Sequence, residues 1–109
     1  MPDEVVCHRI KLRAGSLPRV REWASTILER RDEALATLRD EGVTIESAFL
    51  EETVDGHYLI YYMRAAKPRL GAAATSAHPI DEYHQQFKRD AWEGGSELEL
   101  LIDLDRSAE

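Results

Sequence analysis

The chain has little of what marks several large classes of protein. Its 109 residues include a single cysteine, Cys7, so no internal disulfide can form. No apolar run approaches the roughly 18 residues that a membrane-spanning helix needs, and the N-terminus lacks the basic and apolar pattern of a secretory leader. We therefore expect one cytoplasmic domain, residues 1–109, without a membrane partner.

Basic charge is also scarce, with 14 Lys and Arg residues against 21 Asp and Glu residues and a net charge of −7. A surface of this sign repels phosphate backbones, so we expect no nucleic-acid partner. The sequence contains no Gly-rich phosphate loop, nucleophile elbow or paired-cysteine motif. It therefore predicts no cofactor, and it leaves open whether the protein is an enzyme.

Hydrophobic periodicity predicts a strand, a helix and a second strand in the first half of the chain. Residues 5–13 alternate with a period of two, which is typical of a strand. Apolar residues then recur at steps of three and four over residues 18–41, which predicts one helix that ends at Gly42 in a left-handed cap. From Val43 the period returns to two, which predicts the second strand.

Asp55 and Gly56 predict a two-residue hairpin turn, because both central positions of a primed turn favour positive φ. The returning strand then covers residues 57–64. This turn places Phe49 opposite Tyr62, so that the numbers of paired residues sum to 111. Residues 65–78 follow without a clear period; this long connection is either a functional segment or a plain crossover.

The last part of the chain predicts a helix and a fourth strand. Pro79 opens the helix, and Gly94 and Gly95 are expected to end it. Residues 97–105 alternate again, with Leu98 and Ile102 on the same face of the predicted strand. The resulting order, βαββαβ, gives an α+β fold with a four-stranded antiparallel sheet and two helices on one face.

The predicted sheet is apolar on both faces. The face expected to pack against the helices contains Ile10, Leu12, Ile45, Phe49, Ile60, Tyr62, Leu98, Leu100 and Ile102. The opposite face still carries a set of apolar residues that water would not favour: Cys7, Leu50, Leu59, Tyr61, Met63 and Leu101. Because exposed patches of this kind usually mark interfaces, we predict a homodimer in which two copies pair through this second face.

The order of elements and the two-faced sheet resemble the dimeric α/β-barrel superfamily of ferredoxin-like folds. Within it, the segment Ser-Ala-His-Pro-Ile-Asp-Glu-Tyr-His-Gln-Gln-Phe at residues 76–87 is similar to a small bacterial and archaeal family of unknown function. The superfamily includes cofactor-independent monooxygenases, haem-degrading enzymes, isomerases and ligand-sensing domains. The resemblance therefore implies a fold and a dimer, but no single reaction.

Several polar and aromatic residues fall at core positions of the predicted fold, where they could line a small-molecule pocket between the sheet and the helices. The candidates are His8, Trp23, Tyr58, Tyr62, Arg64 and His84. The alternative is plain core packing, since aromatic stripes at helical spacing are often core.

Two functions remain open on this basis. The first is a small-molecule-binding protein, with cofactor-independent oxidation or isomerisation as its chemistry. The second is a non-catalytic homodimeric sensing or interaction domain, and neither reading assigns a catalytic residue.

A metal site is not predicted. His78, Asp81 and His84 are spaced three residues apart at the start of the second helix, and this spacing does not gather all three on one face. Asp81 already has a structural role, since a carboxylate in the first turn stabilises the positive end of a helix.

Overall fold

The computed structural model describes residues 3–65 and 78–107, and the predicted connection at 65–78 lies almost wholly outside this part of the chain. These residues form an α+β fold in which an antiparallel sheet of order β2-β3-β1-β4 carries helices on one face. The predicted α+β class and four-stranded antiparallel sheet are confirmed. The elements are β1 Glu4–Leu12, α1 Leu17–Glu29, α2 Arg31–Glu41, β2 Val43–Thr53, β3 Gly56–Ala65, α3 Pro79–Ala91 and β4 Trp92–Glu97.

The single helix expected over residues 18–41 is interrupted at Arg30, where φ is −105° and ψ is 39°. Arg30 lies between two helical segments, and its side chain pairs with Glu33 in the first turn of α2. Asp32 and Glu33 occupy that first turn, where acidic residues stabilise the N-terminus of a new helix. The predicted end of the helix is confirmed, since Gly42 caps α2 with φ 76°.

The turn of the hairpin between β2 and β3 lies one residue earlier in the chain than expected. Thr53 pairs with Gly56, so Val54 and Asp55 occupy the turn and paired residue numbers sum to 109 rather than 111. The expected turn required positive φ at Asp55, and no non-glycine residue in the described part of the chain has positive φ. The Thr53 hydroxyl instead accepts a hydrogen bond from the Asp55 N–H at 3.2 Å and donates one to the Gly56 carbonyl at 2.5 Å.

The fourth strand also lies earlier than predicted. α3 ends at Ala91, and β4 takes up residues Trp92–Glu97, including the two glycines expected to end the helix. Residues 98–105, predicted to be the strand, form no regular element. The glycines therefore belong to an edge strand against β1 and not to a helix cap.

Gly95 has a steric reason to be glycine. It pairs with Ile10, and a Cβ at this position would lie 2.6 Å from Ile10 Cδ1 and 3.4 Å from the Arg9 carbonyl oxygen. Ile10 belongs to the core and is 5% exposed, so its side chain would have to repack against its core neighbours to admit a Cβ at this position. A Cβ at Gly94 would meet nothing within 4 Å.

The core forms where α1 and α3 cover β1 and β3. The Trp23 ring stacks on the Phe87 ring with centroids 4.4 Å apart, and the Trp23 and Tyr61 centroids are 6.1 Å apart. The buried cluster consists of Ile10, Leu12, Val20, Trp23, Leu59, Tyr61, Phe87 and Ala91.

This core shows that the predicted faces of β2 and β3 were exchanged. Leu59 and Tyr61, assigned to the dimer face, are buried beneath the helices, and Leu50 and Met63 pack against the same cluster. Phe49 and Ile45, assigned to the core, are exposed. The cause is the pairing of His8 with Tyr61, which places even-numbered residues of β1 on the same face as odd-numbered residues of β3.

The sheet face away from the helices is called the open face below. The residues on this face include the cross-strand pairs Cys7–Tyr62 and Arg9–Ile60. Of the predicted dimer-face residues, Cys7 lies on this face, and Leu101 is exposed in the segment that follows β4.

The close approach at Gly95 gives a test of the β1–β4 pairing. We expect Gly95→Ala to lower the free energy of unfolding by about 1–3 kcal/mol, because the added methyl group overpacks the core at Ile10. Gly94→Ala is the matched control and should change it by less than about 0.5 kcal/mol. Urea denaturation measures both values, and equal effects would contradict the described register.

Candidate functional site

A cavity of about 610 Å³ lies between the helices and the sheet. This volume is within the range of small-molecule sites. Its apolar walls come from α1, α2 and the sheet, and include Ile27, Leu38, Ala48 and Met63. The interruption at Arg30 shapes the cavity, because α2 lines it while burying none of its own residues fully in the core.

His84 is the central polar group of this cavity. Trp23 Nε1–H donates a hydrogen bond to His84 Nδ1 at 3.1 Å, so the neutral ring carries its proton on Nε2. The Trp23 and His84 rings also lie with centroids 5.7 Å apart. Burial, and then the positive charge of Lys88, lower the pKa of His84 to about 4. At neutral pH this imidazole is therefore uncharged, oriented and able to donate one hydrogen bond.

A half-buried carboxyl group, Glu46, lines the same cavity. Burial raises its pKa, while a hydrogen bond from the Tyr61 hydroxyl favours the ionised form and lowers it. Glu41 lies close by, and its pKa is raised by burial and then by the negative charge of Glu46. The site thus contains a carboxyl group with a raised pKa that Tyr61 holds in place.

Three nitrogen-bearing residues line the cavity at intervals of four: His84 and Lys88 of α3, and Trp92, the first residue of β4. His84 and Lys88 lie on one face of α3 because they are four residues apart. The Lys88 ammonium lies 4.9 Å from the centre of the Trp92 ring. Trp92 Nε1 is buried and has no hydrogen-bond partner in the described part of the chain. A buried donor of this kind is costly unless an acceptor reaches it.

These groups have complementary chemical capacities. A neutral imidazole that donates through Nε2 can polarise a carbonyl oxygen, and a carboxylate with a raised pKa is a stronger base than an ordinary carboxylate. Titratable groups whose environments move their pKa values in opposite directions are typical of acid–base sites. The arrangement can therefore support proton transfer on a bound molecule.

The structure brings together three of the six predicted pocket residues. His8, Trp23 and His84 line the cavity. Tyr58, Tyr62 and Arg64 do not line it, because they alternate with Leu59 and Tyr61 and so lie on the open face. There the Arg9 guanidinium lies 3.6 Å from the centre of the Tyr58 ring, and Arg64 Nε donates to the Tyr62 hydroxyl at 3.0 Å.

Sequence reasoning missed the residues that complete the site: Glu41, Glu46, Lys88 and Trp92. Lys88 and Trp92 follow His84 at steps of four, so helical spacing could have identified Lys88 at least. Glu46 was assigned to the wrong face together with the rest of β2, and correct strand pairing was needed to find it.

No group of three or more His, Cys, Asp or Glu side chains within residues 3–65 and 78–107 is arranged to hold a metal ion. His78 and His84 have different partners: His78 Nε2 lies 2.8 Å from an Asp40 oxygen, whereas His84 Nδ1 accepts the hydrogen bond from Trp23.

Within residues 3–65 and 78–107, no helix has both the length and the apolar character needed to cross a membrane.

The lowered pKa of His84 predicts a pH-dependent stability. In the unfolded chain His84 binds a proton below pH 6.5, whereas in the folded chain it does so only below about pH 4. The free energy of unfolding is therefore highest above pH 6.5 and decreases as the pH falls from 6.5 to 4. Between pH 7 and pH 4 this group alone should remove up to about 3 kcal/mol of unfolding free energy. His84→Gln keeps an acceptor for Trp23 but does not titrate. In urea denaturation its stability should depend less on pH, and equal slopes for the two proteins would contradict the assignment.

Comparison with known sequences identifies the family of the chain. A search of curated proteins gave no match. The sequence model described as Family of unknown function (DUF6176) matches residues 3–109, and the chain therefore belongs to this family.

Proposed function

We propose that the protein binds a small, largely apolar carbonyl compound in its cavity and catalyses proton transfer next to the carbonyl group, as an isomerase does. We further propose that the domain is ferredoxin-like, of the dimeric α/β-barrel type, and works as a homodimer. The observation that carries the proposed chemistry is the neutral His84, oriented by Trp23, in the same cavity as the Glu46 carboxyl group.

The proposed fold type draws on the strand order β2-β3-β1-β4 and on the placement of the helices on one face. In a βαββαβ fold two crossovers lie on the same side of the sheet. The break at Arg30 divides the first crossover into two helices and adds no further crossover. The third helix is thus compatible with the proposed fold.

The proposed reaction uses two groups of the chain. Ionised Glu46 takes a proton from the carbon next to the substrate carbonyl, and the electron pair of that C–H bond moves towards the carbonyl oxygen. His84 Nε2–H donates a hydrogen bond to this oxygen as negative charge develops on it. When the substrate has a C=C bond between its β and γ carbons, the resulting dienolate extends over that bond. Protonated Glu46 then returns the proton to the γ carbon as the electron pair moves back from the oxygen, so that the double bond shifts to the α,β position without an oxidant or a cofactor.

Further polar groups of the cavity define the class of ligand. The Lys88 ammonium lies one helical turn beyond His84 along α3, where a second oxygen of the ligand can accept a hydrogen bond. The remaining walls are mostly apolar and aromatic. We therefore propose an apolar or aromatic ring that carries a carbonyl group and a second acceptor.

Hydrogen exchange on an enolisable aromatic ketone tests the proposed chemistry without knowledge of the natural substrate. We expect the protein to accelerate the exchange of the C1 protons of 2-tetralone in D₂O, followed by proton NMR. Glu46→Gln should reduce the protein-dependent rate by roughly 10²-fold or more, because it removes the base. Quenching of tryptophan fluorescence by 2-tetralone measures binding separately.

Glu52→Gln is the matched control, since Glu52 is an exposed carboxylate on the same strand, and it should leave the exchange rate unchanged. Binding of 2-tetralone without accelerated exchange would contradict the proposed proton transfer. That result would instead favour the non-catalytic sensing domain.

The raised pKa of Glu46 has a consequence for stability that is independent of activity. A buried carboxyl group contributes fully to stability below its unfolded pKa of 4.5, and this contribution is lost as the pH rises through the folded pKa. Glu46→Gln removes the loss, so we expect the variant to be more stable than the natural protein at pH 8 and similar to it at pH 4. Urea denaturation at the two pH values measures the difference, and a variant less stable at pH 8 would contradict the burial of an ionisable Glu46.

A further inference from the structure

The cavity reaches the surface of the described part of the chain at a mouth between the helices and the edge strand β2. The residues that form this mouth line the cavity and are exposed: Leu28, Arg31, Leu35, Ala48 and Gln85. The other residues that line the cavity are buried or half-buried. A ligand therefore has an outer end at this mouth and an inner end among the buried groups.

Two leucines of the mouth expose large apolar side chains. Leu28 in the last turn of α1 is 69% exposed, and Leu35 of α2 is 39% exposed. A single exposed leucine is common on protein surfaces and needs no explanation. These two leucines open onto the same cavity, so that one ligand can contact both.

Aliphatic side chains continue from these leucines into the cavity. Ile27 precedes Leu28 at the end of α1, and Ala34 and Leu38 flank Leu35 on α2. Ile27, Ala34 and Leu38 are half-buried, and residues three apart on a helix, such as Leu35 and Leu38, share a face. The walls that α1 and α2 contribute near the mouth are therefore aliphatic.

The inner part of the cavity has a different character. Trp23 and Tyr61 are buried there, and His84 and Glu46 provide the polar groups of the proposed chemistry. The volume of about 610 Å³ is in the range of sites that take drug-sized ligands, so a single ring with a carbonyl group fills only part of it. A ligand whose carbonyl group reaches His84 leaves the aliphatic part of the cavity to be filled.

We infer that the ligand is a cyclic carbonyl compound that carries an aliphatic chain, and that Leu28 and Leu35 are specificity-determining residues that bind this chain. The ring lies at the inner end with its carbonyl group at His84, and the chain extends past Ile27 and Leu38 to the mouth. Binding then removes the chain and both leucines from water, which is favourable. The inference rests on the proposed function and specifies its substrate class.

A series of ketones that differ only in chain length tests this inference. The probes are 4-methylcyclohexanone, 4-propylcyclohexanone and 4-pentylcyclohexanone, and isothermal titration calorimetry measures their dissociation constants. We expect the affinity to rise about threefold for each added methylene group, and so by roughly 80-fold from the methyl to the pentyl compound.

Substitution of the two leucines shows whether the chain lies at the mouth. Leu28→Gln and Leu35→Gln each replace an exposed leucine by a polar side chain of similar length, so we expect both variants to fold, and thermal unfolding verifies this. Each should weaken the binding of 4-pentylcyclohexanone by about fivefold and that of 4-methylcyclohexanone by less than about twofold. Val54→Gln introduces the same side chain at the fully exposed hairpin turn, outside the cavity, and should change neither value.

The outcomes separate this inference from the proposed function. Equal affinities across the series, or a gain with chain length that both leucine variants leave intact, overturn the chain site even where the exchange of 2-tetralone is accelerated. Binding that depends on chain length and on both leucines, without accelerated exchange of any ketone, supports the chain site and overturns the proposed proton transfer. Failure to bind any of the three ketones overturns both the chain site and the proposed binding of a carbonyl compound.

Discussion

The packing of Trp23 between Phe87 and Tyr61 is the contact on which the rest of the structure depends. It joins α1, α3 and the middle of β3, and so determines which sheet face the helices cover. The Trp23 indole N–H also fixes the orientation of His84. One side chain thus links the core to the candidate site, and the stability of the domain and the geometry of its cavity have a common origin.

The interruption at Arg30 explains why a domain of this size contains a cavity. α1 buries Val20 and Trp23 against the sheet, whereas α2 buries no residue fully. After the interruption at Arg30, residues of α2 line the cavity without being fully buried. A continuous helix over residues 18–41 would not have packed against the sheet in the same way. The break at Arg30 therefore has a direct effect on the candidate site.

The elements themselves could largely be predicted from the sequence, because each depends on local periodicity and on residues such as Pro79 and Gly42. The assignment of faces could not, since it depends on which residues pair across strands. The pairing of His8 with Tyr61 decides whether odd- or even-numbered residues of β3 share a face with the even-numbered residues of β1, and nothing local to either strand encodes this pairing. The same error moved Tyr58, Tyr62 and Arg64 into the predicted pocket and left out Glu46. Trp23 and His84 were correctly assigned to one region, because each lies on the apolar stripe of a helix.

Two features of the molecule oppose its own stability. Glu46 is held where burial disfavours its charge, and His84 is held where burial prevents protonation, so the two groups make the domain less stable at high and at low pH respectively. Apolar side chains in place of both would avoid these costs, and a small domain has little stability to spare. Destabilising ionisable groups of this kind concentrate at functional sites, because groups with perturbed pKa values are useful only where chemistry needs them. The exposed C-terminal leucines are a second cost, and a partner surface would remove it.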